Sequence, residues 1–240
     1  STKTGRIRSS GARRDSRRAS YRMKPGAGTD GPAMCPVCGG AWARTMVLPL
    51  VRRDSRRVFR CRVCHAGIVS PFPSAAELAA IYEDAYFAGK DDFFRGRNYF
   101  EARDQCIRDG DVTGFCELKS ATSLAGKRLL DIGCASGALL VLARQCGATV
   151  AGVEFNEAAA RFGRERYGLD IRTGTLESAQ FTEGGFDVVT AIDLIEHLVE
   201  PREFMAEVYR ILSPGGVFLA STPNFRCASL LRTRWTGIAE

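Results

Sequence analysis

The stretch Leu129-Leu-Asp-Ile-Gly-Cys-Ala-Ser-Gly-Ala-Leu-Leu140 decides the fold. A short apolar strand runs into Asp131, then into a turn with Gly133 and Gly137, and an apolar segment with helical spacing follows at once. Strand, glycine turn and helix in this order present backbone N–H groups to a nucleotide-like cofactor. Working outward, Val150-Ala-Gly-Val-Glu154 reads as a second strand that ends on an acid. Roughly 20 residues past the first strand is where such folds place a carboxylate for ribose hydroxyls.

Two further segments continue the pattern. Phe186-Asp-Val-Val-Thr-Ala-Ile-Asp193-Leu-Ile-Glu196-His197 reads as a strand and the turn beyond it, and Leu212-Ser-Pro-Gly-Gly216-Val-Phe-Leu-Ala-Ser-Thr-Pro-Asn224 as a glycine turn and a strand. The spacing predicts strand 127–132, helix 137–146, strand 149–154, helix 156–167, strand 170–173, strand 186–192, helix 201–212 and strand 216–222. Pro201 at a first helical turn, with Phe204, Val208, Ile211 and Leu212 at helical spacing, supports the last helix. Alternating strands and helices with short links mean an α/β fold, a mostly parallel sheet covered on both faces. Ligands of such sheets bind at the carboxyl ends of the strands, where Asp131, Glu154 and Asp193 all fall.

In their order, these four motifs resemble the class I S-adenosylmethionine-dependent methyltransferases over about residues 120–225. The Glu196-His197 pair and the Ser-Thr-Pro-Asn224 ending are most similar to the branch of ubiquinone-type O-methyltransferases and sugar and natural-product methyltransferases. The resemblance implies a Rossmann-like sheet, S-adenosyl-L-methionine as cofactor, and O- or C-methylation of a small-molecule acceptor. It implies that Gly133 and Gly137 let the backbone approach the methionine part of the cofactor, and that Asp131 fixes the loop and the cofactor's ammonium. Cys134 and Ser136 sit in the turn, Glu154 clamps the ribose, Phe155 lies against the adenine, and Thr175 and Leu176 occupy the adenine edge. Asp193 completes the set. Ala135 stands where the family often has a third glycine. Three roles are open to His197: a general base, a ligand of a divalent cation such as Mg²⁺ together with Asp193 and Glu196, or a structural cap. The family adds a helix and an antiparallel hairpin after the fifth strand, so the chain is read as C-terminally incomplete.

A separate module precedes this core. Cys35-Pro-Val-Cys38 and Cys61-Arg-Val-Cys64 are two C-x-x-C pairs, 22 residues apart. Four thiolates at this spacing close a tetrahedron around a structural Zn²⁺, and Thr45–Val51 can pair with 57–60 as a hairpin of a zinc ribbon. His65 stands beside the second pair as a bystander. Beyond Pro71-Phe-Pro73, Ser74-Ala-Ala-Glu77 is a capping box. Tyr82, Tyr86 and Phe87 after it resemble a tyrosine-rich lid over the cofactor cleft, with core packing as the equal alternative. The reading divides the chain into a tail (1–33), a zinc ribbon (34–70), a helical connector or lid (71–124) and the core (125–240).

The formal net charge of +7 is carried wholly by residues 1–33, and the rest of the chain is balanced. That tail is rich in Arg, Ser and Gly without periodicity, and reads as a disordered, dispensable extension. Arg52, Arg53, Arg56, Arg57, Arg60 and Arg62 cluster at the hairpin, so an RNA methyltransferase docking through its ribbon is the alternative. No aromatic ladder accompanies them, which favours a solvated face. Nine cysteines with no apolar run of the roughly 18 residues that a membrane span needs, and no secretory signal, point to a reducing, cytoplasmic setting. Cys106, Cys116, Cys146 and Cys227 read as buried free thiols.

Overall fold

A computed structural model describes residues 34–40, 46–49, 57–74, 77 and 98–222. The tail, the tyrosine-rich segment, Arg52, Arg53, Arg56 and Cys227 lie outside the described residues.

The small module is an antiparallel sheet of β1 (Met46–Pro49), β2 (Arg57–Arg60) and β3 (Gly67–Ser70), in the order β1-β2-β3. The expected hairpin forms, and β3 adds a strand that the sequence reading does not anticipate. Its four residues are too few to display a period, and only pairing with β2, Arg57 against Ser70 and Arg60 against Gly67, defines it. Beyond it the capping box closes in both directions: Glu77 N donates to Ser74 Oγ (3.2 Å), and Ser74 N donates to Glu77 Oε2 (2.7 Å).

The connector supplies α1 (Tyr99–Asp109) and α2 (Phe115–Ala121). The core then runs β4 (Arg128–Ile132), α3 (Ala138–Gln145), β5 (Thr149–Glu154), α4 (Glu157–Tyr167), β6 (Ile171–Thr173), α5 (Leu176–Ala179), β7 (Phe186–Ile192), a 3₁₀ turn (Ile195–His197), α6 (Pro201–Ile211) and β8 (Leu212–Ser221). The sheet order is β6-β5-β4-β7-β8, all parallel. Neighbouring strand residues face opposite layers: Leu129 and Val188 join α2 and α3 on one face, while Leu130 and Val189 join α5 and α6 on the other. Both faces are covered, which is why these strands read as unbroken apolar runs.

Two boundaries move. Helix α6 stops at Ile211 because Leu212 already pairs with Phe186 in β8. The next pairs are Val188 with Val217, so β8 carries extra residues through Pro214 and Gly215, and Gly215 absorbs the bulge at φ +79°. Helix α5 is also new, and Thr175 caps it.

Candidate active site

The carboxyl ends of β4, β5 and β7 meet around the turn at 133–137. Gly133 N and Cys134 N donate to Val153 O (2.8 and 3.3 Å), which ties the turn to the neighbouring strand. Glu154 then takes hold of its crest. Ala135 N donates to Glu154 Oε2 and Asn156 N to Glu154 Oε1, both at 2.8 Å. A carboxylate offers about four acceptor positions, so Glu154 shapes the turn and keeps capacity for hydroxyl donors. Burial raises its pKa.

Ala135, where the family often has glycine, takes the left-handed region at φ +48°. Its methyl group packs with Tyr99 and Ala159, and this contact offsets the strain. At Gly137 (φ +80°) nothing offsets it: a Cβ there would run into Leu169 Cδ1. Gly137→Ala should therefore destabilise the fold by about 2–3 kcal/mol, combining left-handed strain with overpacking. A Cβ at Gly168 (φ +61°) would meet nothing within 4 Å among the described residues, so Gly168→Ala should cost only about 1 kcal/mol. Equal losses in chemical denaturation would remove the steric part of the argument.

Asp131 is 5% exposed, and its carboxyl accepts from the Thr190 hydroxyl (2.6 Å) across to β7. The bonds recorded at the turn's crest come from Glu154 rather than from Asp131. Burial, with the Glu154 charge adding to it, pushes Asp131 up to about 7. Cys134 is buried and its thiol is driven well above the ordinary value by burial, which keeps it protonated and unreactive. Ser136 is 1% exposed, and its Oγ has no hydrogen-bond partner among the described residues. Phe155, by contrast, is 62% exposed at the end of β5. Thr175 is drawn into the start of α5: its hydroxyl accepts from the Ser178 N–H (3.2 Å) and its own N–H donates to Ser178 Oγ (2.9 Å), and Leu176 is buried.

Asp193 also has positive φ, +50°. Its N–H donates to Ser221 O (3.2 Å) and Ser221 Oγ (3.0 Å), and its carboxylate accepts from Ser221 Oγ (2.8 Å), tying the ends of β7 and β8. Glu196 is raised by burial, and its Oε2 is buried without a hydrogen-bond partner among the described residues. His197 Nε2 lies 4.0 Å from Glu196 Oε1, and burial lowers its pKa. The ligand atoms of Asp193, Glu196 and His197 do not gather. Among the described residues, the one group of three or more such side chains whose ligand atoms lie within 4.8 Å of one another is Cys35, Cys38, Cys61 and Cys64.

Residues 110–240 match the methyltransferase domain family. The chain belongs to that family. A Mycolicibacterium smegmatis protein named as a probable S-adenosylmethionine-dependent methyltransferase is 40% identical over 101 residues, 42% of this chain and 39% of its own length. The ubiquinone biosynthesis O-methyltransferase of Pseudomonas entomophila is 36% identical over 108 residues, 42% of this chain and 47% of its own. The chain thus spans less than half the length of these curated relatives. A solved S-adenosylmethionine-dependent methyltransferase from Mesorhizobium loti is similar over 48% of this chain and 55% of its own, at 24% identity and a TM-score of 0.43.

The family match begins after the cysteine module, whose geometry speaks for itself. Cys35 and Cys64 Sγ are 3.7 Å apart, and Cys38 and Cys61 Sγ 3.6 Å. A disulfide needs about 2.05 Å. Four sulfurs at about 2.3 Å from one ion stand about 3.8 Å apart, so the cluster fits a tetrahedral metal. Gly40 N and Val63 N each lie 3.4 Å from a cysteine sulfur, Cys38 and Cys61 respectively. Backbone N–H groups, of Cys64 first and Val63 after it, lower the Cys61 pKa and favour its thiolate. His65 occupies the left-handed position (φ +62°) that Gly39 (φ +69°) fills in the other knuckle, and it stays outside the sulfur cluster. Among the described residues no helix is long and apolar enough to cross a membrane.

Sequence reasoning missed two contributors to the methyltransferase site. Thr190, the partner of Asp131, is an unremarked residue within an apolar run. Tyr99, 6% exposed, opens α1 and packs with Ala135 of the turn. A signal for α1 did exist: Asn98 is followed three residues later by Glu101, and the Asn98 side chain accepts from Phe100 N (2.9 Å).

Proposed function

We propose that this chain transfers a methyl group from S-adenosyl-L-methionine to an oxygen or carbon of a small-molecule acceptor. The observation that carries the reading is Glu154, held at the end of β5 with one oxygen on the glycine turn and further acceptor capacity. The Ser136 Oγ in the turn, unpartnered among the described residues, and the exposed Phe155 at the end of β5 fit a nucleoside-bearing cofactor. That cofactor supplies a methyl group on a sulfonium, an electrophile needing in-line attack. Glu154 accepts from ribose hydroxyls, Phe155 offers its ring face to the adenine, and Gly133 and Gly137 bring the backbone close to the amino-acid end. Asp131, raised to about 7 in the empty fold, would ionise beside the cofactor's ammonium there. The loop at 193–197 orients the acceptor, and burial keeps His197 neutral at pH 7, the form that can take a proton. Holding acceptor and methyl group in line supplies most of the acceleration such a site needs.

The four cysteines would hold Zn²⁺ in a closed site without an open coordination position, which makes the ion structural. This supports the division into ribbon, connector and core set out above. The similarity to a ubiquinone biosynthesis O-methyltransferase supports a small acceptor over RNA. Three of the six arginines of the RNA reading, Arg52, Arg53 and Arg56, lie outside the described residues.

The test is calorimetric. The protein should bind S-adenosylmethionine, and Glu154→Ala should weaken binding by about 1–3 kcal/mol, the cost of stranded polar partners. A protein that binds no S-adenosylmethionine would overturn the function, and an unchanged affinity in Glu154→Ala would overturn the ribose assignment.

A further inference from the structure

The two cysteine knuckles share one backbone. Gly39 N donates to Cys35 O (2.8 Å) and His65 N to Cys61 O (3.1 Å), while Cys35 N and Cys61 N donate to Gly40 O and Ala66 O. Gly39 and His65 hold the same left-handed position, at φ +69° and +62°. His65 shows that this position accepts a side chain, so the backbone alone does not demand glycine at 39.

What fills the place of a Gly39 side chain comes from the core. A Cβ there would fall 2.4 Å from Nη1 and 3.4 Å from Cζ of Arg202, so the guanidinium occupies the space a side chain would need. Gly40 is covered from within the module: its Cβ would meet Val63 Cγ2 at 2.9 Å. The first knuckle thus touches both the second knuckle and the core.

Arg202 stands in the first turn of α6, directly after Pro201. The helix dipole presents its positive end there, which suits Glu203 and disfavours a cation. Across the contact the charge has a better partner. A divalent ion on four thiolates leaves excess negative charge on the cluster, and Cys38, one of the four, directly precedes Gly39. Topology fixes where the contact lies. Helix α6 follows β7 through the turn at 195–197, so it starts at the carboxyl edge of the sheet. Glu154 ends β5 on the other side of β4, so the knuckle borders the half of that edge away from the ribose.

We propose that the metal-loaded first knuckle docks on Arg202 and makes the ribbon a fixed wall on the acceptor side of the cleft. The acceptor side is that of the function proposed above, on which this part of the inference rests. Arg202 is otherwise exposed, and two modules of one chain move independently unless such a contact holds them.

Cobalt is the probe. Co²⁺ takes the same four-thiolate tetrahedron as Zn²⁺, and its unpaired electrons shift nearby amide resonances only where metal and amide keep a fixed geometry. In the cobalt-loaded chain, without S-adenosylmethionine, amides at 195–205 should shift relative to the zinc form. Gly39→Asn keeps a residue that tolerates left-handed backbone and fills the place of the guanidinium. Arg202→Ala and Gly39→Asn should each reduce the shifts at least about 3-fold, and the double variant no further. Arg202→Lys should keep part of them and His65→Asn all. Cobalt absorption should stay at the wild-type level throughout, and Arg202→Ala, outside the knuckle, decides the matter if Gly39→Asn loses its metal. Shifts absent from the wild type, or unchanged in Arg202→Ala, would overturn the docking and leave the cofactor reading intact. A chain that takes up no cobalt would overturn the metal reading and the docking together. A chain that docks its ribbon but binds no S-adenosylmethionine would overturn only the acceptor assignment.

Discussion

Replacing Cys61 with serine should release the bound metal and unfold residues 57–70 while leaving the core at 128–221 folded. Each strand of the small sheet has four residues. So little secondary structure cannot bury enough apolar surface to offset the ordering of its chain. Of its cysteines, Cys61 is fully buried and Cys35 nearly so, which makes the sulfur cluster itself the centre of the module. A metal bound by four thiolates contributes about 10–16 kcal/mol of folding free energy in small metal-dependent modules. Losing one thiolate removes most of that, and the knuckle bonds from Val63 N and Gly40 N do not replace it. The core has its own two apolar layers and should not notice. Metal analysis should find one zinc per chain in the wild type and none in the variant, with faster amide exchange confined to the module. A variant that retains stoichiometric zinc, or a wild type without any, would defeat the structural-metal reading.

The difference between module and core also explains what the sequence disclosed. The core was legible because parallel strands buried on both faces leave long apolar runs, and because Asp131, Glu154 and Asp193 stand at their ends. The two cysteine pairs were legible because ligand chemistry fixes their spacing. Strand β3 was not, since four residues take their identity from the strand they pair with. The same is true of the finer site. Thr190 lies 59 residues from Asp131, and only the β4–β7 register, Asp131 opposite Thr190, brings the hydroxyl to the carboxyl. Glu154 was readable as an acid at a strand end, but its hold on Ala135 N depends on the conformation of the turn. Tyr99 was hidden for a similar reason: its helix is held through Phe100 and Asp104 by Phe162, Arg166 and Tyr167 of α4.

The stability of the ligand-free protein should fall by about 3 kcal/mol between pH 4 and pH 7 on account of Asp131 alone. In the fold this carboxyl sits near 7, raised chiefly by burial and further by Glu154, against the downward pull of the Thr190 hydroxyl. In the unfolded chain it returns to about 3.9. The folded state therefore holds a proton that the unfolded state has already lost, so stability is greatest below the unfolded value and declines as pH rises through about 7. At about 1.4 kcal/mol per unit, three units give about 4 kcal/mol over the whole titration, of which about 3 kcal/mol falls between pH 4 and pH 7. Other groups act in and around this window. Glu154 and Glu196 are raised by burial and add to the decline, whereas His197, lowered by burial, opposes it below about 6.5. Asp187, held far below the carboxylate range by Arg128, contributes only under more acid conditions. Asp131→Asn isolates the effect, since the amide mimics the neutral acid and its oxygen can still accept from Thr190. Urea denaturation of both proteins from pH 4 to 8 should show the variant gaining on the wild type as pH rises, with the gap levelling off above about 7. A gap that stays constant, or narrows, would mean that Asp131 is ionised throughout. Its buried charge would then be stabilised in the fold by more than the single hydroxyl of Thr190.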